Sequence, residues 1–148
     1  GSSTFWDRST LYALRGAFAA GHADAALSQL HNYSERRLLG THVPYPVEAY
    51  PEGSQRHLSG ESALYCRVIT EGLFGIRPSG FDSFNLKIRM PSGWDEMALN
   101  HVKAFGKDFD IKVKRLDGQR LRIGISCDGR LREYSVKSGQ EIKNITLK

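Results

Sequence analysis

The densest gathering of chemically able side chains lies between Thr41 and Leu58, in the stretch THVPYPVEAYPEGSQRHL. It carries two carboxylates, Glu48 and Glu52, a guanidinium in Arg56, an imidazole in His57, and two phenols in Tyr45 and Tyr50. Carboxylates can take and give protons, an arginine can grip a carboxylate with two parallel bonds, and aromatic rings can stack. Pro44, Pro46, Pro51 and Gly53 forbid a continuous helix here. The segment therefore reads as a long polar loop, and loops of that length inside compact proteins are more often functional than idle. A second, smaller grouping is Trp6-Asp7, immediately ahead of the first helical pattern. The histidines outside the loop, His22, His31 and His101, together with His42 at its start, show no metal-ligand spacing, so neither a metal nor a cofactor is expected. Cys66 and Cys127 form no paired motif and read as two reduced, buried side chains.

The elements that must hold these groups change character along the chain. Leu11, Leu14 and Phe18 recur at helical spacing, with Asp7 or Ser9 as a candidate cap and Gly21 as a stop. A second helix follows at once, with Asp24 in its first turn, Leu27, Leu30 and Leu38 along it, and Gly40 at its end. So short a connection makes an antiparallel helical hairpin. Ser59 opens a third helix whose apolar face is Leu64, Val68, Ile69 and Leu73, closed by Gly72, Gly75 and Pro78. Glu61, in its first turn, reads as a charge placed against the helix dipole.

From Phe81 onward the period becomes two. Phe84, Leu86, Ile88 and Met90 alternate with polar residues, as do Phe109, Ile111 and Val113, and then Leu121, Ile123 and Ile125. Asp117-Gly118 and Asp128-Gly129 supply turns, and Tyr134, Val136, Ile142, Ile145 and Leu147 mark the closing strands. The expected organisation is helical hairpins over 1–78 and an antiparallel sheet over 79–148. Trp94, in the turn-like PSGWD segment, is expected to plug the sheet against the helices.

The net charge of +5 raises the question of nucleic acid. Lys87, Arg89, Lys112, Lys114, Arg120 and Arg122 alternate with apolar residues as a solvated strand face, without the interleaved aromatic rings of a base-stacking platform, so no nucleic-acid partner is expected. No apolar run reaches the roughly 20 residues of a membrane-spanning helix, and no secretory leader is read at the start. Three helices beside a separate sheet bury their apolar faces poorly, because small cores leave much of their surface wet. Exposed apolar surface on the helical part, or packing against another copy or further polypeptide, is therefore expected.

The stretch EAYPEGSQRHLSGESALYCRVITEGLFGIRPSGFDSF, Glu48 to Phe84, resembles the end of the catalytic barrel in six-hairpin, (α/α)6 glycosidases, the group of α-L-rhamnosidase-like and glucoamylase-like enzymes. The phrase Gly72-Leu73-Phe74-Gly75-Ile76-Arg77-Pro78 stands where such a barrel helix ends and a β-sandwich tail begins, and Arg89 to Val113 also resembles that tail. The resemblance implies an α+β chain: the C-terminal helices of an (α/α)6 barrel followed by an antiparallel β-sandwich.

It also implies glycoside hydrolysis, commonly with inversion, by two carboxyl groups roughly 6.5–9.5 Å apart. Glu48 best fits the place of the general base, with Glu52 as runner-up. His57 falls where rhamnosidase-like members hold a sugar, and Arg56, Tyr50, Trp6 and Asp7 are further candidate substrate contacts. No residue matches the general acid, so the chain alone is expected to be inactive, with carbohydrate and the remainder of a barrel as its partners. The competing expectation is a non-catalytic carbohydrate-binding or scaffolding module whose ligand lies on the sheet instead of the 41–58 loop.

Overall fold

A computed structural model describes residues 5–39, 46, 48–50 and 59–148. Its contacts divide the chain into two compact units, Gly1–Phe74 and Gly75–Lys148.

In the first unit a short strand β1 (Phe5–Trp6) runs directly into helix α1 (Asp7–Ala20). Leu11, Leu14 and Phe18 are all buried, as their spacing predicts. Gly21 ends the helix in the left-handed conformation (φ 98°), its N–H returning to the carbonyls of Ala17 and Phe18. Helix α2 (Ala23–Arg37) follows, and its buried stripe is Ala23, Ala26, Leu30, Tyr33 and Arg37. That stripe departs from the expected one: Leu27 and Leu38 are only half-buried, and a tyrosine and an arginine take the inward positions. Strand β2 (Ala49–Tyr50) pairs antiparallel with β1, setting Phe5 opposite Tyr50 and Trp6 opposite Ala49. Helix α3 (Ser59–Arg67) continues into a π-helical segment, Val68–Leu73, where the wider turn carries the chain against α1. The contact is close because Gly72 has no side chain: a Cβ there would lie 3.2 Å from Phe18 Cδ2 and 3.5 Å from the Arg15 Cα.

The second unit is built from strands β3 (Ile76–Pro78), β4 (Ser83–Leu86), β5 (Glu96–Ala104), β6 (Lys107–Asp117), β7 (Arg120–Cys127), β8 (Arg130–Lys137) and β9 (Ile142–Thr146). They form a three-stranded sheet in the order β3-β4-β9 and a four-stranded meander β5-β6-β7-β8, antiparallel throughout. The inward positions of the meander are Met97, Phe109, Ile111, Val113, Leu121, Ile123 and Ile125, all buried. Phe84 of β4 stacks on Phe105 and Phe109 of the meander, with centroids 5.1 and 5.5 Å away, joining the two sheets.

The β7–β8 turn, Asp128-Gly129, has positive φ at both residues (49° and 73°), the arrangement a tight hairpin requires. Ile88 and Met90 are buried in alternation with Lys87 and Arg89, yet no ladder forms beyond Leu86. Here the chain is tied by Lys87 N–H to Gly75 O and by Gly139 N–H to Ile88 O.

This architecture corrects the expected fold class. The described residues hold three short helices, the two-stranded β1–β2 ladder and two larger antiparallel sheets, with 40% of them in strands, so the chain is mostly β and not the C-terminal helices of an (α/α)6 barrel. The physical reason is visible in α1. It receives α2, α3 and the π-helical segment, and the three helices cover one another in a small cluster instead of forming successive hairpins of a wall.

Candidate functional site

The site is assembled around the first turn of α1, where three distant stretches of chain meet. Asp7 N–H donates to Glu48 O at 3.1 Å, extending the β1–β2 pairing by one step. Trp6, Asp7 and Glu48, which the sequence nominates from two separate groupings, are thereby adjacent. Trp6 and Phe5 are exposed aromatic side chains, at 47% and 46%.

Asp7 does not cap α1 with its side chain. The N-cap residue is Trp6, which makes no side-chain cap bond, and the wholly buried Asp7 carboxylate turns toward α2. The Tyr33 hydroxyl donates to its Oδ2 at 3.0 Å, and Arg37 Nε donates to its Oδ1 at 3.1 Å. The Arg37 guanidinium also lies over the Phe5 ring, 5.2 Å from the centroid. Burial, reinforced by the neighbouring Asp7 charge, pushes the Tyr33 phenol well above its usual 10.0. Tyr33 stacks on Tyr65 at 6.2 Å, and the Tyr65 hydroxyl shares a 2.8 Å hydrogen bond with Ser34. Asp7 thus ties β1 and α1 to the end of α2, with both oxygens engaged.

The next residue, Arg8, points to the other side. Its Nε donates to Glu61 Oε1 at 2.7 Å, its Nη2 lies 2.6 Å from the same oxygen, and Nη2 is 3.7 Å from Glu48 Oε1. Glu61 is completely buried, whereas the Glu48 side chain keeps 27% of its surface exposed. The hydrogen bond that Arg8 donates to Glu61 raises the guanidinium above its already high value. Glu61 Oε2 has no hydrogen-bond partner among the described residues, a costly condition for a buried carboxylate oxygen. Chemically, Glu61 anchors Arg8, Arg8 steadies Glu48, and of these three carboxylates, Asp7, Glu48 and Glu61, it is Glu48 that reaches solvent.

Of the remaining nominated residues, Tyr50 contributes its backbone to β2, while Glu52, Arg56 and His57 lie outside the described residues. Sequence reasoning missed Arg8, Tyr33 and Arg37 and gave Glu61 only a dipole role. Tyr33 and Arg37 were detectable, since they continue the Ala26–Leu30 stripe at spacings of three and four. Arg8 carried no such signal.

Among the described residues no group of three or more His, Cys, Asp or Glu side chains could hold a metal ion. Cys66 is exposed, contrary to the expectation of burial, and Cys127 is half-buried; both are free thiols. Among the described residues no helix is long and apolar enough to cross a membrane. In comparisons with known proteins, no family model, curated protein or solved structure matches this chain.

Proposed function

We propose that this chain serves glycoside hydrolysis, with Glu48 as the general base and Trp6 as the aromatic face that meets a sugar ring. The observation that carries the reading is the pairing of Asp7 N–H with Glu48 O, which holds the partly exposed Glu48 one step along the ladder from the exposed Trp6, with its carboxylate 3.7 Å from Arg8 Nη2. In the inverting form of the reaction, Glu48 takes a proton from water as the water oxygen bonds to the anomeric carbon. The glycosidic oxygen departs with its electron pair and takes a proton from a general acid. Among the described residues none is in position for that acid: Asp7 and Glu61 are buried and committed to the scaffold.

A leaving group that departs readily as an anion removes the need for the acid, and this defines the test. A panel of 2,4-dinitrophenyl glycosides is incubated with the chain and with Glu48→Gln, and dinitrophenolate release is followed. The expected result is turnover of at least one glycoside, falling roughly 10²–10⁴-fold in the variant, the range of general-base contributions. No turnover of any glycoside, or equal rates for the two proteins with circular dichroism confirming their fold, overturns the reading.

A further inference from the structure

The four-stranded meander turns its second face outward, and that face carries a trough of about 530 Å³. In its floor Ala98 of β5 and Gly124 of β7 flank Lys112 of β6 in one cross-strand row, and Leu131 of β8 reaches over Gly124, its Cδ1 3.2 Å from where a Cβ there would lie. In the next row Lys114 of β6 stands directly opposite Arg122 of β7. Lys112 and Lys114 are two residues apart on one strand, so they rise from the same face about 7 Å apart. All three cations are exposed, and none has an ion-pair partner among the described residues. Like charges directly opposite one another on a sheet are destabilising; Glu96 on the other side of Lys114 offsets part of the Lys114–Arg122 repulsion, and a bound anion would relieve the rest.

The acidic residues sharpen the ligand's chemistry. Glu96, opposite Lys114, and Glu133, opposite Gly124, line the same trough. A uniformly anionic polyphosphate would be repelled by both, and no aromatic side chain lines the trough to stack a base. A ligand that combines carboxylates with hydroxyl groups uses the whole set: cations for its carboxylates, Glu96 and Glu133 as acceptors for its hydroxyls. The volume lies within the 300–1,000 Å³ of small-ligand sites.

We propose that this outer face of β5–β8 is a binding site for a short uronic-acid oligosaccharide, held by Lys112, Lys114 and Arg122. The site stands on the sheet's own geometry and does not rest on the hydrolytic reading of Glu48.

The test is titration calorimetry and amide chemical-shift mapping with trigalacturonate, its methyl ester, and duplex DNA. Binding of trigalacturonate with shifts on β6 and β7 is expected, with at least tenfold weaker binding of the neutral ester and at least tenfold loss in Lys112→Ala/Lys114→Ala/Arg122→Ala. Glu48→Gln is expected to bind as the parent does, which separates this site from the hydrolytic one. The circular dichroism of the triple variant should match the parent's, so that its loss of binding is read on a folded protein. Absence of trigalacturonate binding, equal affinity for the ester, equal affinity in the triple variant, or tighter binding of DNA than of trigalacturonate each overturns the proposal.

Discussion

Arg8 delivers two nitrogens, Nε at 2.7 Å and Nη2 at 2.6 Å, to a single oxygen of Glu61, a residue 53 positions away and wholly buried. The other Glu61 oxygen has no partner among the described residues. Breaking such a pair by removing one partner is far worse than removing both, because a lone buried charge keeps its full desolvation cost. Arg8→Met is therefore expected to lower the melting temperature more than the double variant Arg8→Met/Glu61→Leu does. Thermal melting of the two single variants and the double variant completes the cycle; simple additivity would show that the pair is not coupled.

Tyr33 gives a pH-dependent prediction. Its phenol is raised in the folded state, first by burial and then by Asp7, whereas in the unfolded chain it ionises near 10.0. Below that value its contribution to stability is fully present. Above it the unfolded chain loses the proton while the folded chain retains it, so stability falls as pH rises. Tyr33→Phe should cost about 1–2 kcal/mol at neutral pH, from one hydrogen bond withdrawn from a buried carboxylate. The gap between parent and variant should narrow above pH 10, and denaturant melts at neutral and alkaline pH measure it. A constant gap would contradict the assignment.

Glycines of positive φ should differ sharply in their tolerance of alanine. At Gly75 (φ +65°) a Cβ would lie 2.1 Å from the Lys87 carbonyl oxygen and 2.7 Å from its carbon, both backbone atoms held by the Lys87 N–H to Gly75 O bond. At Gly129 (φ +73°) nothing lies within 4 Å. Gly129→Ala should cost about 1–2 kcal/mol of backbone strain alone. Gly75→Ala should cost about 3 kcal/mol or more, or prevent folding. Urea midpoints separate them, and comparable midpoints would refute the close approach.

The strands show how far pattern reading reached and where it stopped. β6 and β7 were legible because Phe109, Ile111, Val113 and Leu121, Ile123, Ile125 alternate without interruption, and Asp128-Gly129 is a turn that announces itself. β5 was not, for two reasons. Its register with β6 shifts between Leu99 and Val102, and His101 there has a positive φ of 55° with its N–H on Asp110 Oδ1, so the period of two is broken. The turn that follows, Phe105-Gly106, places a phenylalanine at φ 56°, a residue no turn signature includes; its stacking on Phe84 and packing near Phe109 hold it there.

The site divides in the same way. Glu48 and Trp6 were visible as residue types in unusual company, a carboxylate in a proline-broken loop and an exposed aromatic before a helix. Residue order alone also determined the helical spacing of Leu11, Leu14 and Phe18 and the switch to strand periodicity near Phe84, because side-chain direction follows local backbone geometry. Only the tertiary structure decided that α2, α3 and the π-helical segment close on α1 without building a barrel wall, that Asp7 faces Tyr33 and Arg37, and that Arg8 joins Glu48 to Glu61. These depend on contacts between residues 26 to 53 positions apart, whose formation is set by which buried charges can be paired when distant segments meet, a quantity no local period encodes.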